Sequence, residues 1–140
     1  MKKILIPLLF TLAFMLCSCR LQQSYTGEMD AVNCHSITFG DKTIQNISVI
    51  LYQSKVPNFQ SCSEEIIQHC INNDFRTIQF SYDMHGYPVE LNATVYLTES
   101  DFENGTSLFS MKYAQPPETN LVYDIKNNPE MFSLTIHQTK

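Results

Sequence analysis

Two adjacent Cys/His pairs, Cys34-His35 and His69-Cys70, are the residues of this 140-residue chain with the plainest metal-binding chemistry. Zinc takes thiolate and imidazole ligands in tetrahedral sets. Neighbours on a strand or helix point in different directions, however, and neither pair has a Cys-x-x-Cys spacing behind it. The pairs read as disulfide partners and surface histidines, and no metal or cofactor is expected. Glu99, Asp101 and Glu103 are the second set. Paired carboxylates serve glycoside hydrolysis, and alternate residues share a strand face, but that face is the wet one in the register below. They read as solvated edge carboxylates. G-x-S-x-G, H-E-x-x-H, the P-loop and G-x-G-x-x-G are absent. Four glycines leave little for a phosphate-cradling loop. His85 and His137 have no Ser or Cys signature nearby, so no catalytic residue is assigned.

Aromatic side chains are the remaining candidates. Tyr87 is expected at a hairpin tip, Tyr96 on a wet sheet face with Asn92 and Thr94, and Phe102 near a second tip. Phe59 falls in a loop ahead of a helix. Exposed aromatics anchor partners or stack on sugars. Tyr87, Tyr96, Phe102 and Asn92 therefore form the candidate binding surface.

Residues 77–113 must position them. Ile78, Phe80, Tyr82 and Met84 alternate with polar residues, and so do Val89, Leu91, Ala93, Val95 and Leu97. Period-two alternation means one dry face and one wet face. A loop at His85-Gly86-Tyr87-Pro88 pairs Met84 with Val89, Tyr82 with Leu91, Phe80 with Ala93 and Ile78 with Val95. At the next turn, a two-residue Asn104-Gly105 loop would pair Leu97 with Lys112. A three-residue Glu103-Asn104-Gly105 loop pairs Leu97 with Met111 and Val95 with Tyr113 instead. It calls for a bulged turn with Gly105 in the left-handed region.

Upstream, His35–Phe39 and Ile44–Tyr52 read as a hairpin turning at Gly40-Asp41, with Ile47, Val49 and Leu51 inward. Ser61-Cys62-Ser63-Glu64 has capping-box spacing. A helix follows to about Asn73, with Cys62, Ile66, Ile67, Cys70 and Ile71 in one stripe. Downstream, Leu121–Ile125 and Met131–His137 read as strands on either side of Asn127-Asn128-Pro129. The fold class is α+β: a curved antiparallel sheet of about five to seven strands with one amphipathic helix across one face. Its element order is similar to that of cystatin-like domains, an analogy of topology alone.

The N-terminus has another character. Met1-Lys2-Lys3 is a basic n-region, and Ile4 to Leu16 is an apolar run too short to span a bilayer as a stable helix. Leu16-Cys17-Ser18-Cys19 follows. These residues resemble the lipobox of bacterial lipoproteins, with Leu at −3, Ser at −1 and Cys19 at the lipidated position. The resemblance covers about the first 20 residues. It implies cleavage by signal peptidase II, a diacylglyceryl thioether on Cys19 and anchoring in the cell envelope. In a cell with an outer membrane, the lack of Asp after Cys19 points to that membrane. The expected organisation is a signal peptide over 1–18, a tether over 19–33 and one domain over 34–140. Nine basic and fourteen acidic residues give a formal charge of −5, and losing Lys2 and Lys3 makes the mature chain more acidic. That argues against nucleic acid or an anionic membrane surface as an electrostatic partner.

With Cys19 lipidated, Cys34, Cys62 and Cys70 remain, and an exported chain can keep disulfides. Cys62 and Cys70 are two helical turns apart, too far to bridge. Cys34 and Cys62 are expected at the same end of the domain. Cys34–Cys62 is the expected bridge, and Cys34–Cys70 is the alternative.

These features predict a lipid-anchored, non-catalytic interaction module that binds an envelope or secreted protein, as an inhibitor, immunity protein or assembly accessory would. A small-ligand or glycan-binding lipoprotein, using the face around Tyr96, Asn92 and Thr94, is the alternative. A small hydrolase would need Glu99 or Asp101 to converge with His85 or His137.

Overall fold

The computed structural model describes residues 25 and 27–139. The proposed leader and Cys19 lie outside the described residues. Five strands form one open mixed sheet in the order β1-β2-β3-β4-β5. They are β1 (Asp30–Phe39), β2 (Lys42–Ile50), β3 (Glu90–Tyr96), β4 (Phe109–Ala114) and β5 (Ser133–Gln138). Helix α1 (Phe59–Asn72) joins β2 to β3, the one-turn helix α2 (Tyr82–His85) follows it, and α3 (Glu99–Glu103) joins β3 to β4. Among the described residues, no helix is long and apolar enough to cross a membrane.

The sheet is antiparallel at every junction except one: β2 and β3 run parallel, with Ile44 opposite Glu90 and Val49 opposite Val95. A parallel pair needs a long crossover, and α1 supplies it. The expected all-antiparallel sheet is corrected on this point. The first hairpin forms as expected, with Ile47, Val49 and Leu51 buried. Its first strand starts at Asp30, inside the stretch expected to be tether.

The core lies on one side of the sheet. Ile47, Val49, Leu91, Ala93, Val95, Phe109 and Met111 meet Cys62, Ile66, Ile67 and Cys70 of α1. The expected helical stripe is therefore real. The start of α1 is not where the capping box places it. Asn58 is the N-cap, accepting from the Ser61 N–H at 3.0 Å, so the helix begins at Phe59. Phe59, expected in a loop, stacks on Phe109 with centroids 4.5 Å apart. The helix stops at Asn73, which takes a left-handed conformation (φ 56°).

Residues 78–84 depart furthest from expectation. Their alternation of burial holds as far as Asp83: Phe80 is buried, Ile78 and Tyr82 are half-buried, and Gln79, Ser81 and Asp83 are exposed, but Met84, expected inward, is 74% exposed. Yet they form no strand. The Asn73 side chain accepts from the Phe80 N–H at 2.7 Å and donates to its carbonyl at 2.9 Å. One asparagine thus satisfies the backbone groups that a neighbouring strand would have taken. Residues 82–85 then coil into α2, and β3 pairs with β2.

The β3–β4 register is also shifted. Val95 lies opposite Phe109 and not Tyr113. The displacement is four residues, so each residue keeps its face. The cause is α3, whose capping box joins Thr98 and Asp101 and takes up residues expected to extend the hairpin. Gly105 does adopt the left-handed region, at φ 70°. Leu121–Ile125 forms no strand. Ile125 is buried and donates its N–H to the Pro88 carbonyl at 3.1 Å, but Leu121 stays 62% exposed.

Ser63 is fully buried inside α1, and its hydroxyl has no hydrogen-bond partner among the described residues. An unpaired buried hydroxyl costs about 1–3 kcal/mol, and alanine is the better helix former. Ser63→Ala is expected to stabilise the domain by about 1 kcal/mol, raising the melting temperature by roughly 3–6 °C. An unchanged or lower melting temperature would show that the hydroxyl is not a liability.

Candidate functional site

The side of the sheet away from α1 is polar along most of its length and apolar at one end. Asn92 donates to Asn46 Oδ1 at 3.1 Å and to Glu90 Oε1 at 2.9 Å, so its amide is tied into the surface. Toward the Gly40-Asp41 turn, Phe39, Ile44, Val89 and Ala114 meet Pro116, Pro117 and Val122 around a concavity of about 530 Å³. Phe39 is 63% exposed and Val122 41%. Ile37 shares the β1 face of Phe39 and is 37% exposed. Glu90 and Lys112 line the same hollow and form an ion pair at 2.9 Å. Being part-exposed, that pair contributes less than ~1 kcal/mol and serves as a polar rim. Scattered exposed apolar residues are ordinary, but a contiguous patch with a polar rim marks a contact surface.

A second hollow, of about 440 Å³, lies on the helix side of the β1–β2 hairpin, under residues 78–86. Cys34, Ser36 and Thr38 of β1 face Ile47, Gln45 and Thr43 of β2 across the register. Thr38 and Thr43 share a hydroxyl contact at 3.3 Å, and Cys34 Sγ lies 3.7 Å from Ser36 Oγ. Gln45 is 2% exposed. Its Oε1 accepts from the Tyr82 hydroxyl at 3.1 Å, whereas its Nε2 has no partner among the described residues. An orphan donor of this kind costs roughly 1–3 kcal/mol. Burial, with the Cys70 and Cys34 sulfurs nearby, pushes the Tyr82 hydroxyl well above its ordinary pKa, which keeps it a neutral donor.

The four aromatic and amide residues singled out from sequence do not make one site. Tyr96 and Phe102 meet edge to face at 5.2 Å, placing Phe102 of α3 against β3. Asn92 shares the Tyr96 face. Tyr87 is elsewhere: its ring packs at a tilt against Tyr82, with centroids 4.3 Å apart, and its hydroxyl accepts from Lys126 Nζ at 2.9 Å. It is not a hairpin tip, because there is no hairpin there. Glu99, Asp101 and Glu103 fall on α3 and not on a strand. Asp101 is engaged in the cap, accepting from Thr98 N at 3.1 Å and Thr98 Oγ1 at 2.7 Å.

Among the described residues, Cys34, Cys62 and Cys70 form no disulfide. The expected Cys34–Cys62 bridge is not formed. Because β1 begins at Asp30, Cys34 lies mid-strand opposite Ile47 and not at the end nearest α1. Burial raises the Cys62 thiol to about 12 and Cys70 well above its ordinary value, so both are unreactive. His35 and Cys34 point to opposite faces. His69 turns outward to Asp74, with Nδ1 2.6 Å from Oδ1, while Cys70 is in the core. Among the described residues, no three His, Cys, Asp or Glu side chains gather as a metal ion would require.

No family model, curated protein or solved structure matches this chain.

Sequence reasoning passed over Phe39, Val122 and Gln45. Phe39 carried a signal, as an apolar residue alternating with Ile37 at the end of an edge strand. Gln45 carried another. With Thr43, it occupies the inward positions of the alternation that continues through Ile47, Val49 and Leu51, where a polar residue needs a partner.

Proposed function

We propose that this protein is a lipid-anchored envelope lipoprotein whose domain binds a partner protein without catalysis, through the concavity at Phe39, Ile44, Pro116, Pro117 and Val122. The lipobox-like Leu16-Cys17-Ser18-Cys19 supports the anchor. The observation that carries the binding reading is Phe39, 63% exposed on the wall of an apolar hollow with a polar rim. The occupant is an extended apolar segment of an envelope or secreted protein. β1 ends the strand order, so its outer edge has no strand partner among the described residues. An unpaired edge is a template for an added strand. A segment paired there would set alternate side chains beside Ile37 and Phe39 and feed the next residues into the hollow.

Phe39→Ser is expected to weaken partner binding on the order of 30-fold, equivalent to ~2 kcal/mol for a central aromatic anchor. Domain stability should change by less than about 0.5 kcal/mol, as for other exposed positions. Crosslinking and pull-down from cells making the tagged lipidated protein measures the first, with Cys19→Ala alongside, and urea denaturation the second. Equal partner recovery with Phe39→Ser would refute the surface. Recovery undiminished by Cys19→Ala would refute a need for the anchor.

A further inference from the structure

We infer that the hollow beneath residues 78–86 is a second binding site, on the opposite side of the sheet from the docking concavity, and that it takes a neutral N-acetylated sugar. Three features of its lining carry this. Gln45 supplies a buried amide donor without a partner, which calls for an acceptor such as a carbonyl oxygen. The lining holds Ser36, Thr38 and Thr43 and, beside His85, no carboxylate, lysine or arginine, so a cationic ligand would be desolvated with nothing to pair with. Phe80 and Tyr82, with centroids 5.4 Å apart, add an aromatic wall for the apolar face of a sugar ring, and Ile78 a place for a methyl group. About 440 Å³ is within the range of small-molecule sites.

Gln45 Nε2 is closed off from solvent, so a ligand's acetamido oxygen reaches it only when the lining shifts, and Tyr82, hydrogen-bonded to the other end of the amide, is the side chain we expect to move. Tyr82 is placed for that movement. It opens α2, a single turn with no side-chain cap and no buried residue, ending at Gly86 with φ 69°. Binding exchanges the Tyr82–Gln45 hydrogen bond for contacts that use both ends of the amide.

The test is a titration of the isotopically labelled domain with N-acetylglucosamine and its β-1,4 dimer, with glucose and N-acetylalanine amide as controls. The side-chain NH2 signal of Gln45 is the reporter and needs no variant. The N-acetylated sugars are expected to shift that signal and to bind at least 10-fold more tightly than either control. Gln45→Met, which keeps length and removes the donor, should lose at least 10-fold in affinity. A Gln45 signal that no sugar moves would overturn the proposal. So would N-acetylalanine amide binding as well as the sugars, which would assign the site to peptide amides. Because Gln45 and Phe39 face opposite sides of the sheet, failure here leaves the docking reading standing, and the converse holds.

Discussion

Asp30→Ala is expected to destabilise the domain by about 3 kcal/mol, a large part of the ~5–15 kcal/mol that holds a domain together. Asp30 is 1% exposed at the start of β1. Its carboxylate accepts from the backbone N–H groups of Arg76 at 2.9 Å and Thr77 at 3.1 Å, and from the Thr77 hydroxyl. It thereby ties the chain leaving α1 to the edge of the sheet. Hydrogen bonds to a charged group are worth about 1.5–3 kcal/mol. The Arg76 guanidinium, 3.6 Å away but 75% exposed, adds little. Burial disfavours the charge, yet the Thr77 and Arg76 contacts outweigh it and hold the carboxyl below its usual value. A depressed folded pKa gives stability that is present above the unfolded value, near ~3.9, and lost as pH falls through the folded value. Urea denaturation should thus show Asp30→Asn less stable than the wild type at pH 7, with the gap closing as pH falls through the lowered folded pKa of Asp30. A gap independent of pH would mean that packing and not charge holds this junction.

Phe109→Ala is expected to cost roughly 3–5 kcal/mol. Phe109 is fully buried on β4 and stacks on Phe59 in the first turn of α1. Its loss opens a cavity where helix and sheet meet and removes an aromatic pair worth about 0.5–1.5 kcal/mol more than its buried area. Ile66→Val, in the same core, should cost only about 0.5–1.5 kcal/mol. Denaturation midpoints compare the two. Equal small losses would mean that the α1–sheet packing is looser than the 4.5 Å stack implies.

What the sequence revealed was periodicity, and what it concealed was pairing. The alternation in β2, β3 and β4 and the 3.6-residue stripe of α1 put the right side chains inside, because burial follows from local spacing. Partner choice does not. Residues 78–84 alternate as a strand would, but the amide of Asn73 satisfies Phe80 and leaves β3 free to run parallel to β2. The same limit moved the β3–β4 register, since Thr98 and Asp101 close a cap where the hairpin strand was expected to run on. The candidate surfaces were hidden for a related reason. Phe39 and Val122 lie 83 positions apart and line one hollow only because β1, β2, β3 and β4 lie side by side. Gln45 was visible as a polar residue on an inward face, but its lack of a partner appears only once Tyr82 is in place.

The most direct test of the docking surface is a photo-crosslinking residue placed singly at positions 39 and 56 of the lipidated protein in intact cells. Val56 is comparably exposed, at 59%, but follows the far end of β2, on the order of 30 Å from the Phe39 turn. The account predicts a discrete protein adduct from position 39 that is missing from position 56. Adducts equal at both positions, or none at position 39, would contradict it.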